Sequence, residues 1–291
     1  MRKVLTIFLG ISIILIFCGM NAYAATIKVP QDYGTIQDAV LYASDGDVIF
    51  VSAGTYTGQV TVNKKIIIKG ESAESTFLDI ANNESGFVII SDEVSISGFT
   101  VSGGTDFQES GILIGGMFPG DEGYVSIGDV TISKCVLEYN CVGIYIWKAH
   151  DCMIVNNVVR YNAADPPTIY GGNGIIAWEG PSTYNSFVNN EINYNSKFGL
   201  FIGGDTYASY EGSKIHGNTF YRNGAYWDGG GDLNWLAMGF MNAGGKIKVS
   251  GNKIFPTDSG LEVWISNSPS VKVVGNPVYK ATSPHVPEPL L

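Results

Sequence analysis

Two columns of asparagine constrain this chain more than any other feature. Aligned on one position, the segments VTISKCVLEYN, CMIVNNVVRYN, SFVNNEINYN, SKIHGNTFYRN, IKVSGNKIF and VKVVGNPVY bring together Cys135, Asn157, Asn190, Asn218, Asn252 and Asn276. The intervals are 22, 33, 28, 34 and 24 residues. Five residues further on stand Asn140, Asn162, Asn195 and Asn223. A period of this length, with insertions at fixed phase, is the signature of a solenoid. Each period holds three short alternating apolar runs separated by Asn or Gly, which predicts three strands and three turns per rung. Stacked rungs lie about 4.8 Å apart, so identical amides at one turn can hydrogen-bond from rung to rung. Asn also tolerates the left-handed backbone of a tight turn. The columns are therefore structural.

These repeats resemble the right-handed parallel β-helix of the pectin-lyase-like superfamily, especially its bacterial members with NosD-like repeats, from Ala25 to about Tyr279. The resemblance implies an all-β fold, a single right-handed parallel β-helix of three-strand rungs. The 267 residues from Ala25 onward suffice for about ten rungs around one continuous core. Thr26 to Val29 reads as a first strand that Pro30 stops. Ile36, Ala39, Val40 and Ala43 then recur at helical spacing, with Thr35 and Asp38 placed as a capping pair. A short N-terminal helix there would cover the open end of the coil, otherwise an exposed strand edge.

The expected organisation is a signal peptide over 1–24, the β-helix over 25–280 and a tail over 281–291. Arg2 and Lys3 precede an apolar run from Val4 to Phe17, and Ala22-Tyr23-Ala24 gives the small-x-small pattern of a cleavage site. The run is short for a membrane span, and no later segment is apolar enough and long enough to cross a membrane. A secreted or periplasmic protein, without membrane insertion after cleavage, is expected. Val286 to Pro289 in the tail resembles the start of a PEP-CTERM sorting signal without its apolar span and basic end. The formal charge of −10 becomes −12 without Arg2 and Lys3. That balance disfavours nucleic acid or anionic lipid as partners. Cys135, Cys141 and Cys152 remain after cleavage, an odd number that argues against a disulfide framework and for buried thiols.

The strand after the second Asn column begins with Gly143, Gly174, Gly199 and Gly260. If Ile144, Ile175, Leu200 and Leu261 point inward, period two places Tyr145, Ile176, Phe201 and Glu262 outside, with Trp147, Trp178, Gly203 and Trp264 beside them. Trp227 and Trp235 are candidates for the intervening rung. Insertions after the second Asn column and after this strand, including 163–173 and 224–232, are expected to wall a groove. Exposed tryptophans imply a partner, and flat rings along a groove suit sugar. In the superfamily this sequence resembles, the corresponding strand floors the polysaccharide cleft. The other reading is that the rings pack on each other and stabilise the sheet.

Lys148, Glu179 and Asp205 close this strand on successive rungs. A base beside two carboxylates that share a proton or a Ca²⁺ ion suits β-elimination or hydrolysis of a glycan, which makes these three the catalytic candidates and Glu179 and Asp205 the metal candidates. Exposed turn residues of this kind are more often solvated charges. Arg222 replaces the tyrosine of Tyr139, Tyr161 and Tyr194 and joins Tyr145, Trp147, Trp178, Phe201 and Trp264 as a substrate-binding candidate. The acid-rich stretch with Asp106, Glu109, Asp121 and Glu122 is a further Ca²⁺ candidate or a solvated loop. Against named enzymes, the QDTL and DFIFG segments of pectin methylesterases are absent, as are the NTD, DD, GHG and RIK segments of polygalacturonases. His150, His216 and His285 form no pair at metal-ligand spacing.

The sequence thus points to recognition of a polysaccharide through an aromatic groove, with lyase or hydrolase activity left open. The alternative is a non-catalytic cell-surface or envelope scaffold. Burial discriminates them: Trp147, Trp178 and Trp264 lie open in the first and covered in the second.

Overall fold

The structure, a computed structural model, describes residues 24–80, 84–104, 109–115, 126–163, 171–224, 237–255 and 262–278. The expected signal peptide over 1–24 lies outside these residues except for Ala24, and the tail over 281–291 lies wholly outside. Trp227, Trp235, Asp106, Asp121 and Glu122 lie outside them too, as do most of the insertions at 163–173 and 224–232.

Three parallel sheets coil around one core. Sheet A has ten strands, from Thr26–Val29 to Val271–Val274, and sheets B and C have eight each. Each turn runs from sheet A through sheet B to sheet C, as in Met153–Val155, Val158–Arg160 and Ile175–Trp178. Among the described residues the right-handed parallel β-helix therefore has eight complete rungs, with a further sheet A strand at each end, where the sequence suggested about ten. The first strand is Thr26–Val29 as expected, and helix α1 spans Ile36–Tyr42. Thr35 caps it by accepting from the Asp38 N–H at 3.0 Å, and Ile36, Ala39 and Val40 are its buried face.

Parallel register stacks like on like inside the coil. Ile132, Ile154, Phe187, Ile215 and Val249 form one inward column, and Leu137, Val159, Ile192 and Phe220 another. All are buried. The turns between them are held by amides. Asn190 Oδ1 accepts from the Asn157 N–H at 3.0 Å and from Asn157 Nδ2 at 3.1 Å. Its Nδ2 donates to the Ile154 carbonyl at 2.8 Å and to Asn218 Oδ1 at 2.9 Å. Both donors and both acceptor sites of one buried side chain are thus used. The ladder continues through Asn252 to Asn276, and a second one links Asn140, Asn162, Asn195 and Asn223. A further amide, Asn185, accepts from the Cys152 N–H at a third corner.

The left-handed conformation falls on the residue before each ladder amide. Asn156 and Asn189 adopt it at the first corner, as Lys134 does ahead of Cys135, and Gly217, Gly251 and Gly275 take it without steric cost. At the second corner it falls on Tyr139, Tyr161, Tyr194 and Arg222. The tyrosines offset that cost by stacking, with ring centroids 5.5 and 5.2 Å apart.

Asn190→Ala is expected to lower stability by about 4 kcal/mol, because it strands several buried polar groups at once. Asn276→Ala, at the half-buried end of the ladder, should cost about 1 kcal/mol. Urea unfolding of both variants checks the contrast.

Candidate functional site

The outer face of sheet C carries the predicted aromatic residues. Register places Tyr145, Ile176, Phe201, Gly239 and Trp264 in one column, and Trp147, Trp178, Gly203, Met241 and Ser266 in the next. Trp264 therefore stands with Phe201, two residues away from its expected column beside Trp178. Val263 aligns with the inward Met238, and Glu262 precedes the strand instead of facing outward from it. Gly260 and Leu261, from which that column was counted, lie outside the described residues.

The rings are not open to solvent. Trp147 is 7% exposed, Trp178 3%, Phe201 6% and Tyr145 9%. With Cys141, Val142 and Ile176 they form a second apolar cluster outside the coil, against which Leu113, Phe198, Met241 and Trp264 pack half-buried. Tyr145 stacks on Trp147 at 6.1 Å, and Phe198 meets Phe201 at 4.8 Å. Gly239 makes this possible: a Cβ there would lie 2.3 Å from Phe198 and 2.8 Å from Phe201. Neither Phe198 nor Gly239 was identified from the sequence, because an insertion separates Gly239 from the repeat that defines its column.

The charged candidates lie at the end of this face. Lys148 and Glu179 occupy equivalent left-handed turn positions on adjacent rungs. The Lys148 ammonium lies 5.7 Å from the centre of the Trp147 ring. The Asp205 N–H donates to Glu179 Oε1 at 3.3 Å, so the two acids are neighbours. The strand that carries Asp205 bulges here, with a register shift between Gly203 and Ala208. The Gly203 carbonyl accepts from the Glu179 N–H at 2.9 Å and from the buried Tyr210 hydroxyl at 2.6 Å. Burial, then the Glu179 charge, raises the Tyr210 pKa. Among the described residues, no three His, Cys, Asp or Glu side chains gather where a metal ion could be held. Glu109, from the other Ca²⁺ candidate, is buried.

Arg222 sits apart from the aromatic cluster, on the corner between sheets B and C, with its guanidinium 5.4 Å from the Tyr221 ring centre. The three cysteines are free and buried. Burial pushes the Cys135 thiol up to about 11 and the Cys152 thiol to about 12. Lys197, which the sequence did not single out, is buried beside this cluster, and desolvation lowers its pKa to about 8.

A family model described as "Periplasmic copper-binding protein (NosD)" matches residues 41–237. The chain belongs to the NosD family. That family is described as periplasmic. No curated protein matches the chain. Among solved structures, pectate lyase Pel9A is similar at 16% identity, with a TM-score of 0.59, over 89% of this chain and 80% of that one. Alginate lyase from Paenibacillus sp. str. FPU-7 is similar at 16% identity and a TM-score of 0.53, over 88% and 98% of the two chains. A Geobacillus virus E2 protein, ORF18, matches at 14% identity and a TM-score of 0.53, and this NosD-family chain spans 62% of its length. At such identities the likeness shows the shared β-helix fold, which carbohydrate-active enzymes also use.

Two outcomes follow from this burial. Trp178→Ala should destabilise the protein by about 3–5 kcal/mol, as a core truncation does, whereas an exposed ring would change stability by about 0.5 kcal/mol or less. For Lys197 the folded pKa lies below the unfolded value of about 10.4, so the unfolded state binds more protons between the two. The Lys197 contribution to stability should rise with pH from about 8 to above 10, against the opposite contribution of the buried Cys135 and Cys152 thiols over the same range, so Lys197→Met should make stability fall more steeply there than in the wild type. Denaturation at a series of pH values measures it.

Proposed function

We propose that this NosD-family protein is exported after removal of residues 1–24 and serves as a non-catalytic β-helix scaffold in the cell envelope. The observation that carries this reading is the closed aromatic face: Trp147 and Trp178 are buried among neighbouring side chains instead of lining an open groove. Scaffold stability accounts for the aromatic residues, the turn geometry accounts for Lys148 and Glu179 as surface charges, and Asp205 is exposed on the bulged strand beside them.

Copper, named in the family's description, is not supported by the described residues. Copper sites draw on thiolate, thioether or imidazole ligands. Cys135 and Cys152 are instead protonated core thiols that donate to the Ser133 and His150 carbonyls. These residues do not fit a copper centre.

A second reading, polysaccharide recognition on sheet C with lyase or hydrolase chemistry at Lys148, Glu179 and Asp205, is favoured by one observation. Trp264 and Phe198 stay half-buried at the C-terminal end of the face, their ring centres 6.2 Å apart, leaving an edge for a sugar ring. A turnover screen of the exported protein on uronate and neutral glycans, with and without Ca²⁺, separates the two. The scaffold reading expects no product. Product formation that disappears in Glu179→Gln or Asp205→Asn would overturn it.

A further inference from the structure

The outward strand positions of sheet A carry no acid, with Glu93, Asp129 and Asp151 confined to the corner that precedes its middle strands. Its strands are in continuous register, and two outward positions per strand form two columns along the axis. One column ends in Lys214, Lys248 and Lys272, directly opposite one another on consecutive rungs and all exposed. The other holds Lys28 and Lys69 near its start and His216 beside Lys214. Between these groups the outward residues are short hydroxyl side chains, two valines and the exposed Met153. The chain as a whole has 27 acidic residues against 17 basic ones, so outward positions with lysines and no carboxylate depart from its composition.

The lysines are also unneutralised. The ion pairs among the described residues are Lys65–Glu93, His150–Asp151 and Arg160–Glu138, and none involves the three stacked lysines. Like charges directly opposite on neighbouring strands destabilise a sheet. A column of three therefore costs stability in the isolated protein, and an anion laid across it would recover that cost.

We propose that the outer face of sheet A binds a linear acidic polysaccharide, its carboxylates on Lys214, Lys248 and Lys272 and its axis along the coil. Rungs repeat about every 4.8 Å, of the same order as the advance of one sugar ring, so a glycan with one acid per residue keeps pace with the lysines. Duplex DNA carries a phosphate about every 3.4 Å per strand and falls out of step within a few rungs. The hydroxyl side chains upstream suit the sugar hydroxyls. This face is distinct from the aromatic face of sheet C and does not depend on the scaffold reading.

The test is direct binding of a polyuronate oligomer to the exported protein at low ionic strength. Beside it run the methyl-esterified oligomer, duplex DNA and anionic lipid vesicles. Lys214→Ser/Lys248→Ser/Lys272→Ser should weaken uronate binding about tenfold or more, and Lys214→Arg/Lys248→Arg/Lys272→Arg should bind as the wild type does. Binding should weaken with salt, vanish on esterification and persist with a chelator, since the lysines supply the charge directly. Absence of wild-type binding, equal binding by the serine variant, or tighter binding of DNA or vesicles would each overturn the proposal.

Discussion

The central and C-terminal rungs of this coil depend on the buried asparagine amide. A turn inside a solenoid removes backbone N–H and carbonyl groups from water without giving them strand partners, and each unmet group is costly. At each laddered corner one amide resolves this, because it bonds the backbone of the preceding rung's turn and the amides of the rungs on either side. Asn190 uses all four of its bonding sites this way. Since the same residue must recur at the same place, the ladder also fixes the register of the strands on either side.

That repetition is why so much of the fold was legible. The two Asn columns, the first strand and the Thr35-capped helix follow from local spacing, and the structure has them at those residues. Inward columns such as Ile144, Ile175 and Leu200 follow from period two. Trp264 was misplaced because residues between Asn252 and the next strand break the period, and counting from Gly260 carried the error forward. The burial of Trp147 and Trp178 was not legible for a different reason. Alternation says which side of a strand a residue faces, and says nothing about what lies over that side.

The catalytic candidates mark the same limit. Sequence order placed Lys148, Glu179 and Asp205 at the end of this strand on successive rungs, and the structure has Lys148 and Glu179 at equivalent turns and Asp205 on the next rung within a bulged strand. A shared location at the rim of a sheet is a property of the coil, however, and chemistry needs convergence on a reacting atom. Membership of the NosD family and likeness to lyases of similar architecture both describe the scaffold, on which different functions can be mounted.

The two ends of the coil differ. Helix α1 lies across one, whereas Ile265, Val273, Val274 and Val278 are exposed at the other. In a solenoid each rung is held chiefly by its immediate neighbours. Among the described residues, local opening is then expected to be graded along the axis, rarest in the rungs that helix α1 packs against.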